Sequence, residues 1–418
     1  MSKAVHIIES DAEAIKIARK LAASLSPGAS ARDQTPKLPV AELDELSRSG
    51  LLGITVPRLY GGPDVSCQTM TTIFQILAAA DPAIAQLPHS HFVFVNVIRE
   101  DGTPEQKKFL FRELLSGALL GNAQAERGTS SPLDLRTRLE SDGNGKYRLN
   151  GTKHYCTGAI AARWIPVAAI DDQGRLVTAY VPRNAVGVQI LSDWNAMGQR
   201  VTFSGTTIFN DVQVPAEHVV EHWRLFERPS TFHSFAQLLH AAIEVGIAQN
   251  ALEDTAASIR KRKRARLGSP IANAVEDPLV IFRFGQLRAK LHAAEELLQR
   301  AARLLDYAAH EVTAHNAAEA AVGVCEAKAF AEDVAIEITN DLFALIGSSS
   351  TDDDLNFHRH WRNARTHSVH DANQWRYHSA GNYFLNGVPP EKPIRRFDEK
   401  SSSITSGKNS LATQSLST

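Results

Sequence analysis

A ten-residue stretch near the C-terminal end, residues 362–371 with the sequence RNARTHSVHD, concentrates side chains that could do chemistry. It holds His367 and His370, three positions apart, with Asp371 directly after them. Imidazoles at positions i and i+3 lie on one helix face, where they could move protons near neutral pH or hold a metal ion. No matching third ligand is evident among the other histidines, so we expect proton chemistry and no metal site.

The composition is that of an ordinary globular protein of 418 residues, with 43% hydrophobic and 22% charged residues and a formal net charge of −1. This near-neutral balance argues against nucleic acid or an anionic membrane as the main partner. Cys67, Cys156 and Cys325 are too few and too far apart for a disulfide framework or a zinc site. No run approaches roughly 18 apolar residues, and the N-terminus lacks the apolar core of a signal peptide, so we expect a cytoplasmic protein.

Three patterns of sequence follow one another along the chain. Residues 1–120 are mainly helical in pattern, and residues 121–225 alternate short β-prone runs with turns, which predicts a compact β domain. Residues 226–395 predict a bundle of helices, and the polar tail 396–418 is expected to be disordered. The four long helical stretches of the bundle are 234–262, 280–310, 317–346 and 357–383. No Gly-x-Gly-x-x-Gly follows a strand, and no Walker-type loop is present.

Several motifs between about residues 10 and 390 resemble those of the acyl-CoA dehydrogenase-like flavoproteins. They are GLLGITVP at 50–57, NGTKHYCT at 150–157, MGQR at 197–200, FNDVQVP at 209–215 and, more loosely, RARLG at 264–268 and RHWRN at 359–363. The resemblance implies a mainly α fold with a central β domain: an N-terminal helical domain, a middle β-barrel domain and a C-terminal four-helix bundle. It also implies a homotetramer built through the bundles.

Within this superfamily the chain looks most like the sulfur-acquisition oxidoreductases and the dibenzothiophene monooxygenases. The motifs that carry this likeness are PHSHF at 88–92, AQAERG at 123–128, NARTHSVHD at 363–371 and WRYH at 375–378. Dehydrogenases of the superfamily use a glutamate base, whose two known positions fall here on His370 and Asp371 and, on the first bundle helix, near Ala236. Alanine cannot accept a proton, and aspartate is one methylene shorter than glutamate. The resemblance therefore favours an oxygen-activating enzyme over a dehydrogenase.

The implied function is that of a two-component flavin monooxygenase. Reduced flavin and O2 would form a C4a-hydroperoxide, which would oxygenate a small organosulfur compound for sulfur acquisition. Because no nicotinamide site is visible, a separate NAD(P)H:flavin reductase would supply the reduced flavin, with FMN as the first choice and FAD as the second. Two alternatives stay open: an acyl-CoA dehydrogenase with bound FAD, and a non-catalytic flavin-binding partner.

The same resemblance implies roles for five residues at the cofactor. Asn122 and Thr157 would form hydrogen bonds at the flavin edge and take part in catalysis. Gln124 and Trp194 would also contact the flavin, and Arg264 would reach its phosphate. Plainer interpretations stay open, because Asn122 and Thr157 could be turn residues, Trp194 could fill the β domain, and Arg264 could belong to a solvated helix end.

Four histidines receive different expectations from the resemblance. His91 and His370 would act on the substrate side as catalytic residues, since a neutral imidazole can donate a proton and later recover it. His367 and His370 would also lie near the flavin. His89 is two residues from His91 on the predicted helix and is expected to be structural, whereas His91 could alternatively satisfy a buried carbonyl.

Overall fold

The N-terminal part of the chain is helical in the computed structural model, which describes residues 5–128, 134–261, 271 and 273–390. Its helices are α1 (Asp11–Leu25), α2 (Ala29–Gln34), α3 (Val40–Arg48), α4 (Cys67–Ala80), α5 (Pro82–Gln86), α6 (His89–Asp101) and α7 (Pro104–Leu115). Asp81 caps α5 by accepting the backbone N–H groups of Ala83 and Ile84, with Pro82 as the first helical residue. The next helix, α6, begins directly after Pro88, and its first turn, which contains His89, is buried.

The middle of the chain forms one sheet of seven strands in the described residues. The strands are β1 (Arg138–Ser141), β2 (Lys146–Lys153), β3 (Trp164–Asp171), β4 (Leu176–Pro182), β5 (Val188–Ile190), β6 (Thr207–Pro215) and β7 (Val219–Val220). They pair in the order β5-β6-β2-β1-β3-β4-β7, and all ladders except β1–β3 are antiparallel. No ladder joins β5 to β7 among the described residues, so we describe this domain as a sheet. Seven of the eight residues of β3 are buried, which explains its unbroken apolar sequence.

The C-terminal part is built on three long helices, α8 (Phe232–Lys261), α9 (Pro278–His310) and α10 (Ala314–Ile346). Helix α8 is buried at every position from 237 to 248 because α4, α9 and α10 all pack around it. One hydrophobic core therefore runs from the N-terminal helices into the bundle. Small residues at these contacts, such as Ala241 and Ala327, let the helices approach closely.

The fourth predicted bundle helix, 357–383, is divided into α11 (His358–Ser368) and α12 (Asn373–Asn386). Residues 369–372 leave the helix because Asp371 accepts the backbone N–H of Ala372 at 2.9 Å and pairs with Arg376, which fixes the start of α12. The prediction of one continuous helix is therefore wrong here. The break projects His370 out of the helix at the junction of the domains.

The predicted mainly α fold with a central β domain is confirmed. No helix among the described residues is long and apolar enough to cross a membrane. The predicted tail, 396–418, and Arg264 lie outside the described residues. The domain boundaries at 120, 225 and 395 stay predictions.

Candidate active site

A cavity of about 640 Å³ lies where the helical domains meet the sheet domain. Helices α5, α6, α8 and α11 and the 369–372 turn form one wall. The segments between α7 and β1, between β2 and β3, and between β5 and β6 form the other. Its lining residues are Gln86, His89, Ser90, Asn122, Gln124, Ala125, Tyr155, Thr157, Trp194, Gln199, Thr202, Ser204, His240, Thr366, His367, Val369 and His370. Among the described residues, the lining includes four histidines and no carboxylate, lysine or arginine.

The helical wall, which we call the histidine wall, consists of His89, His240, His367 and His370. The rings of His89 and His240 stack with their centroids 3.7 Å apart, and the His370 ring lies 4.0 Å from the ring of His240. His240 comes from the middle of α8, one helical turn beyond Ala236. Four imidazoles from three helices and a turn are therefore in one contiguous cluster.

Backbone carbonyls fix the tautomers of two of these histidines. His89 Nε2 donates to the carbonyl of Ala236 at 2.9 Å, and His370 Nδ1 donates to the carbonyl of His367 at 2.8 Å. In the neutral rings this leaves His89 Nδ1 and His370 Nε2 as proton acceptors. Burial lowers the pKa of His89 to about 4. Although His370 keeps accessible surface on the cavity, protein encloses much of its ring, and this desolvation followed by the charge of Lys328 lowers its pKa well below 6.5.

His367 is the centre of a buried hydrogen-bond network behind the cavity surface. Its Nδ1 lies 2.6 Å from Glu244 Oε1, and its Nε2 lies 3.0 Å from His240 Nδ1 and 3.1 Å from Gln86 Oε1. Glu244 is fully buried, and desolvation raises the pKa of its carboxyl to about 8. The histidine wall is therefore connected to an acid that does not itself line the cavity.

The opposite wall, which we call the amide wall, consists of Asn122, Thr157, Gln199, Thr202 and Ser204. Hydroxyls join three of them, because Ser204 Oγ lies 2.8 Å from both Thr157 Oγ1 and Thr202 Oγ1. Asn122 Nδ2 donates to the Tyr155 carbonyl at 3.0 Å, but its Oδ1 is buried without a partner. Both polar atoms of the Gln199 amide are likewise buried and unpaired among the described residues. Unpaired buried polar atoms are costly, so this wall is suited to a polar ligand.

Close backbone contacts position the amide wall against α11. Tyr155 and Gln199 both adopt the left-handed conformation, with φ of 55° and 51°, which is strained for residues other than glycine. The backbone N–H of Gln199 donates to Asn363 Oδ1 at 2.6 Å. Gly198 is tight against the same helix, since a Cβ there would lie 2.1 Å from the Arg362 carbonyl oxygen. Only glycine allows this approach.

Aromatic and amide groups at the cavity edge account for the other predicted cofactor residues. Trp194 lines the cavity and donates its Nε1 to the Gln199 carbonyl at 3.0 Å, with its ring 6.4 Å from that of Tyr155. Gln124 also lines the cavity, and its carbonyl accepts Lys153 Nζ at 3.1 Å. The structure therefore brings Asn122, Gln124, Thr157, Trp194, His367 and His370 to one cavity.

His91 is not among the cavity-lining residues, contrary to the prediction that it faces the substrate. Its ring is fully buried, with Nε2 donating to the Leu52 carbonyl at 2.8 Å and Nδ1 accepting the Leu120 N–H at 3.1 Å. Both ring nitrogens are thus used to tie backbone segments together. The cavity position belongs to His89, which was expected to be structural.

Three functional candidates were missed by sequence reasoning: His89, His240 and Glu244. His240 and Glu244 are four residues apart, a spacing that places them on one face of α8 and could have drawn attention to the pair.

Asp371, the carboxylate that the sequence analysis considered in place of the glutamate base, lies outside the cavity. It pairs with Arg376 and borders a separate groove with Glu332, and hydrogen bonds from Arg376 hold its pKa low despite desolvation.

The comparisons with known proteins agree with this architecture along most of the chain. Models of the N-terminal, middle and C-terminal domains of acyl-CoA dehydrogenase match residues 10–118, 123–212 and 238–375. The chain therefore belongs to the acyl-CoA dehydrogenase family, with its helical, sheet and helical domains in the order that the sequence analysis predicted.

Three relatives define its place within that family. The dibenzothiophene monooxygenase of Rhodococcus erythropolis is 33% identical over 396 residues, which are 91% of this chain and 95% of the relative. The probable FMNH2-dependent monooxygenase SfnC of Pseudomonas putida is 32% identical over 90% of this chain and 96% of its own. The crystal structure of FMN-bound TdsC from Paenibacillus sp. A11-2 superposes with a TM-score of 0.86 at 30% identity, over 90% of this chain and 98% of that one. The predicted resemblance to the dibenzothiophene monooxygenase group is confirmed.

Proposed function

We propose that this protein is an FMN-dependent monooxygenase that uses reduced FMN and O2 to oxygenate a small organosulfur compound. The observation that carries the proposal is the lining of the cavity, which holds four histidines and no carboxylate in the part of the chain that the structure describes. Proton abstraction from an acyl thioester needs a carboxylate base at the substrate, whereas oxygen transfer to sulfur needs neutral groups that move protons. The names of the relatives support the same cofactor and substrate class.

The residues of the cavity fit a flavin on physical grounds. The buried and unpaired polar atoms, Asn122 Oδ1, Thr366 Oγ1 and both amide atoms of Gln199, could be satisfied by the heteroatoms of an isoalloxazine edge. Trp194 offers an aromatic face to a planar ring system. When bound, reduced FMN would supply the activation of O2, through the C4a-hydroperoxide that the sequence analysis predicts.

The histidine wall would accept and return protons next to the reacting oxygen. His370 Nε2 and His89 Nδ1 have lone pairs, so each can accept a hydrogen bond or a proton from a group in the cavity. Their low pKa values keep both rings neutral at pH 7, so each ring presents a lone pair and no charge to the cavity. We assign His370 the catalytic role that the sequence analysis gave it, and we transfer the role given to His91 to His89.

The amide wall would orient the cofactor and exclude water. The predicted role of Asn122 and Thr157 at the flavin edge is supported by their positions, since both line the cavity opposite the histidines. Their neighbours Gln199 and Ser204 extend the same polar surface. A fixed, neutral surface of this kind protects a reactive adduct from solvent without ionising it.

The acyl-CoA dehydrogenase alternative needs a base in the cavity, and the residues described in the structure do not supply one. Asp371 is held by Arg376 outside the cavity, and Ala236 has no ionisable group. Glu244 is near but is covered by His367, and it is absent from the cavity lining. The non-catalytic alternative gives no reason for a contiguous cluster of imidazoles at the flavin position.

Partners and assembly follow the predictions from sequence. The dependence of SfnC on FMNH2 supports a separate NAD(P)H:flavin reductase as the source of reduced FMN, with FAD as a second cofactor choice. We retain the homotetramer, built through the helical bundles, and the cytoplasmic location as part of the proposal.

The proposal can be tested with purified protein, a flavin reductase, NADH, FMN and a panel of dibenzothiophene, alkyl sulfides and alkyl sulfones under ¹⁸O2. We expect at least one substrate to gain an ¹⁸O atom, detected by mass spectrometry, only when reductase and protein are both present. A matched anaerobic sample tests the alternative by adding acyl-CoA thioesters to the oxidised flavoprotein. Bleaching of the flavin by a thioester, with no oxygenated product from the panel, would replace the monooxygenase by a dehydrogenase.

A further inference from the structure

Glu244 is a buried acid whose place in the structure is not explained by packing. It lies in the middle of α8 with none of its surface exposed, and its Oε2 has no hydrogen-bond partner among the described residues. Its Oε1 makes one contact, with His367 Nδ1 at 2.6 Å. A buried carboxyl with a single partner is unfavourable, so a functional reason is needed.

The hydrogen-bond partners of His367 determine where its protons lie. The carbonyl oxygen of Gln86, 3.1 Å from His367 Nε2, can only accept, so Nε2 carries a proton. His240 Nδ1 accepts the same proton at 3.0 Å. In a neutral His367 ring the other nitrogen, Nδ1, then has a lone pair, and Glu244 must be the donor to it. With a neutral His367 ring, these contacts assign a proton to Glu244.

His240 completes a path to the cavity. Because its Nδ1 accepts from His367, the proton of the neutral His240 ring is on Nε2. His240 lines the cavity and stacks between His89 and His370, whose free lone pairs face the same space. A chain of three groups thus runs from the interior acid to the cavity surface.

We propose that Glu244, His367 and His240 form a proton store and relay, in which Glu244 holds a proton behind the histidine wall and delivers it to an oxygen atom reduced in the cavity. The O–H bond of Glu244 breaks as a bond forms at His367 Nδ1. The Nε2 proton of His367 then passes to His240 Nδ1, and the Nε2 proton of His240 passes to the oxygen. Three bonds break and three form, no electrons change hands, and Glu244 is left as a carboxylate.

The reset of the store follows the same path in reverse. A proton released into the cavity later in the turnover, or taken from solvent, binds His240 Nε2 and returns Glu244 to its acid form. Glu244 is therefore a positioning and proton-holding residue that acts through two histidines. This inference rests on the proposed function, because it requires oxygen reduction in the cavity.

Burial and nearby charges have opposite effects on the pKa of Glu244, so its carboxyl can both hold and release a proton. Burial raises the pKa of the carboxyl to about 8, while Lys328 on α10 and Arg365 on α11 act in the opposite direction. Lys328 is itself buried and paired with Glu332, whose own pKa is raised to about 7 by burial. The other titratable groups of the cluster, His89, His240, His367 and His370, are neutral near pH 7 because burial lowers their pKa values.

The store can be tested without turnover by infrared titration of the protein between pH 6 and 9.5. We expect a carbonyl band of a protonated carboxylic acid at pH 7 that shifts in D2O, disappears as the pH rises through about 8 and is absent from Glu244→Gln. Glu332→Gln identifies any band that comes from Glu332, the second acid with a raised pKa. Glu253→Gln, at an exposed position on α8, is the matched control. A band unchanged in Glu244→Gln, or a Glu244 that is ionised at pH 7, would overturn the store.

The relay is tested by the pH profile of oxygenated product. In Glu244→Gln the side chain can still donate a hydrogen bond to His367 but cannot release a proton. The variant therefore separates proton delivery from the positioning of His367. We expect product formation by the natural protein to fall above pH 8, and by Glu244→Gln to be about 10-fold lower at pH 7 and flat up to pH 9. His240→Asn should give the same flat profile while keeping the infrared band of Glu244.

The outcomes distinguish this inference from the proposed function. If the natural protein forms no oxygenated product with any substrate, the proposed function fails, and the relay fails with it whatever the infrared titration shows. If product forms normally and Glu244→Gln keeps the natural rate and pH profile, the relay is wrong and the monooxygenase stands. If Glu244→Gln does not fold, His240→Asn decides by the same profile.

Discussion

The two walls of the cavity differ in how their polar atoms are hydrogen-bonded. On the histidine wall the ring nitrogens of His367 are hydrogen-bonded to protein groups, and those of His89 and His370 are oriented by backbone carbonyls. On the amide wall the Gln199 amide and one oxygen of Asn122 have no protein partner among the described residues. Protein groups orient the rings of the first wall, whereas the second wall has buried polar atoms that a polar ligand could pair.

This difference divides binding from proton chemistry. A wall with unpaired polar atoms gains hydrogen bonds when a cofactor enters, so it contributes mainly to affinity and orientation. A wall whose tautomers are already fixed loses little on binding and is ready to exchange protons. Changes to the histidine wall should therefore affect turnover, and changes to the amide wall should affect FMN binding.

The largest expected effect comes from removing the imidazole at position 370. His370→Ala should lower the rate of oxygenated product by about 100-fold, because it removes the exposed acceptor of the histidine wall. FMN affinity, measured by fluorescence quenching, should change little. Exposed His315→Ala on α10 is the control and should keep the natural rate. An equal loss of FMN affinity and rate would remove the proposed division between the walls.

The contact that joins the two walls can be broken at Gly198. In Gly198→Ala the new Cβ would meet the Arg362 carbonyl, so we expect the free energy of unfolding to fall by about 1–3 kcal/mol, together with weaker FMN binding. Gly285→Ala on α9 is the control, since a Cβ there meets nothing within 4 Å, and it should be neutral or stabilising by about 0.5–1 kcal/mol. Urea unfolding of both variants measures the difference. Equal stability of the two variants would show that the walls are not held by this contact.

Glu244, the buried acid behind the histidine wall, makes the stability of the protein depend on pH. The pKa of Glu244 rises on folding from 4.5 to about 8, so folding binds a proton and stability from this group is lost as pH rises through that window. The histidines have lowered pKa values, so their contribution increases only up to about pH 6.5 and is constant above it. Between pH 6.5 and 8 we expect the urea midpoint to fall in the natural protein and to fall less in Glu244→Gln. Parallel slopes in the two proteins would contradict the raised pKa.

The smallest effect should be found on the amide wall. Gln199→Met keeps the length of the side chain and removes two unpaired buried polar atoms. We expect the ligand-free protein to gain about 1 kcal/mol in its free energy of unfolding, while FMN binds more weakly. Calorimetric titration with FMN and urea unfolding measure the two quantities. A variant that is less stable and binds FMN with unchanged affinity would contradict this prediction. It would mean that the Gln199 amide bonds to the protein and not to FMN.

The fold and two residues of the amide wall, Asn122 and Thr157, could be predicted from sequence because local motifs carry them. Asn122, Thr157 and Trp194 lie within or beside such motifs and reach the cavity as expected. His89 and His91 could not be separated in the same way, since which of two alternate positions faces the cavity depends on where α6 begins and how it packs. Helix α6 begins after Pro88 without a side-chain cap, and its packing against α8 is a tertiary feature.

The buried acid was missed for a related reason. Glu244 lies 123 positions before its partner His367, and only the packing of α8 against α11 brings them together. Its four-residue spacing from His240 is the one local signal, and that spacing does not show that both side chains reach His367. The break after Ser368 was also invisible, because it depends on the local bonds of Asp371.

The central claim, oxygen activation at the histidine-lined cavity, is tested most directly by rapid mixing of the protein with reduced FMN and O2. We predict a transient absorbance that differs from both reduced and oxidised FMN, and that decays faster in His370→Ala than in His315→Ala. Direct reoxidation of FMN with no transient in the natural protein, together with the absence of ¹⁸O in every sulfur compound of the panel, would contradict the account.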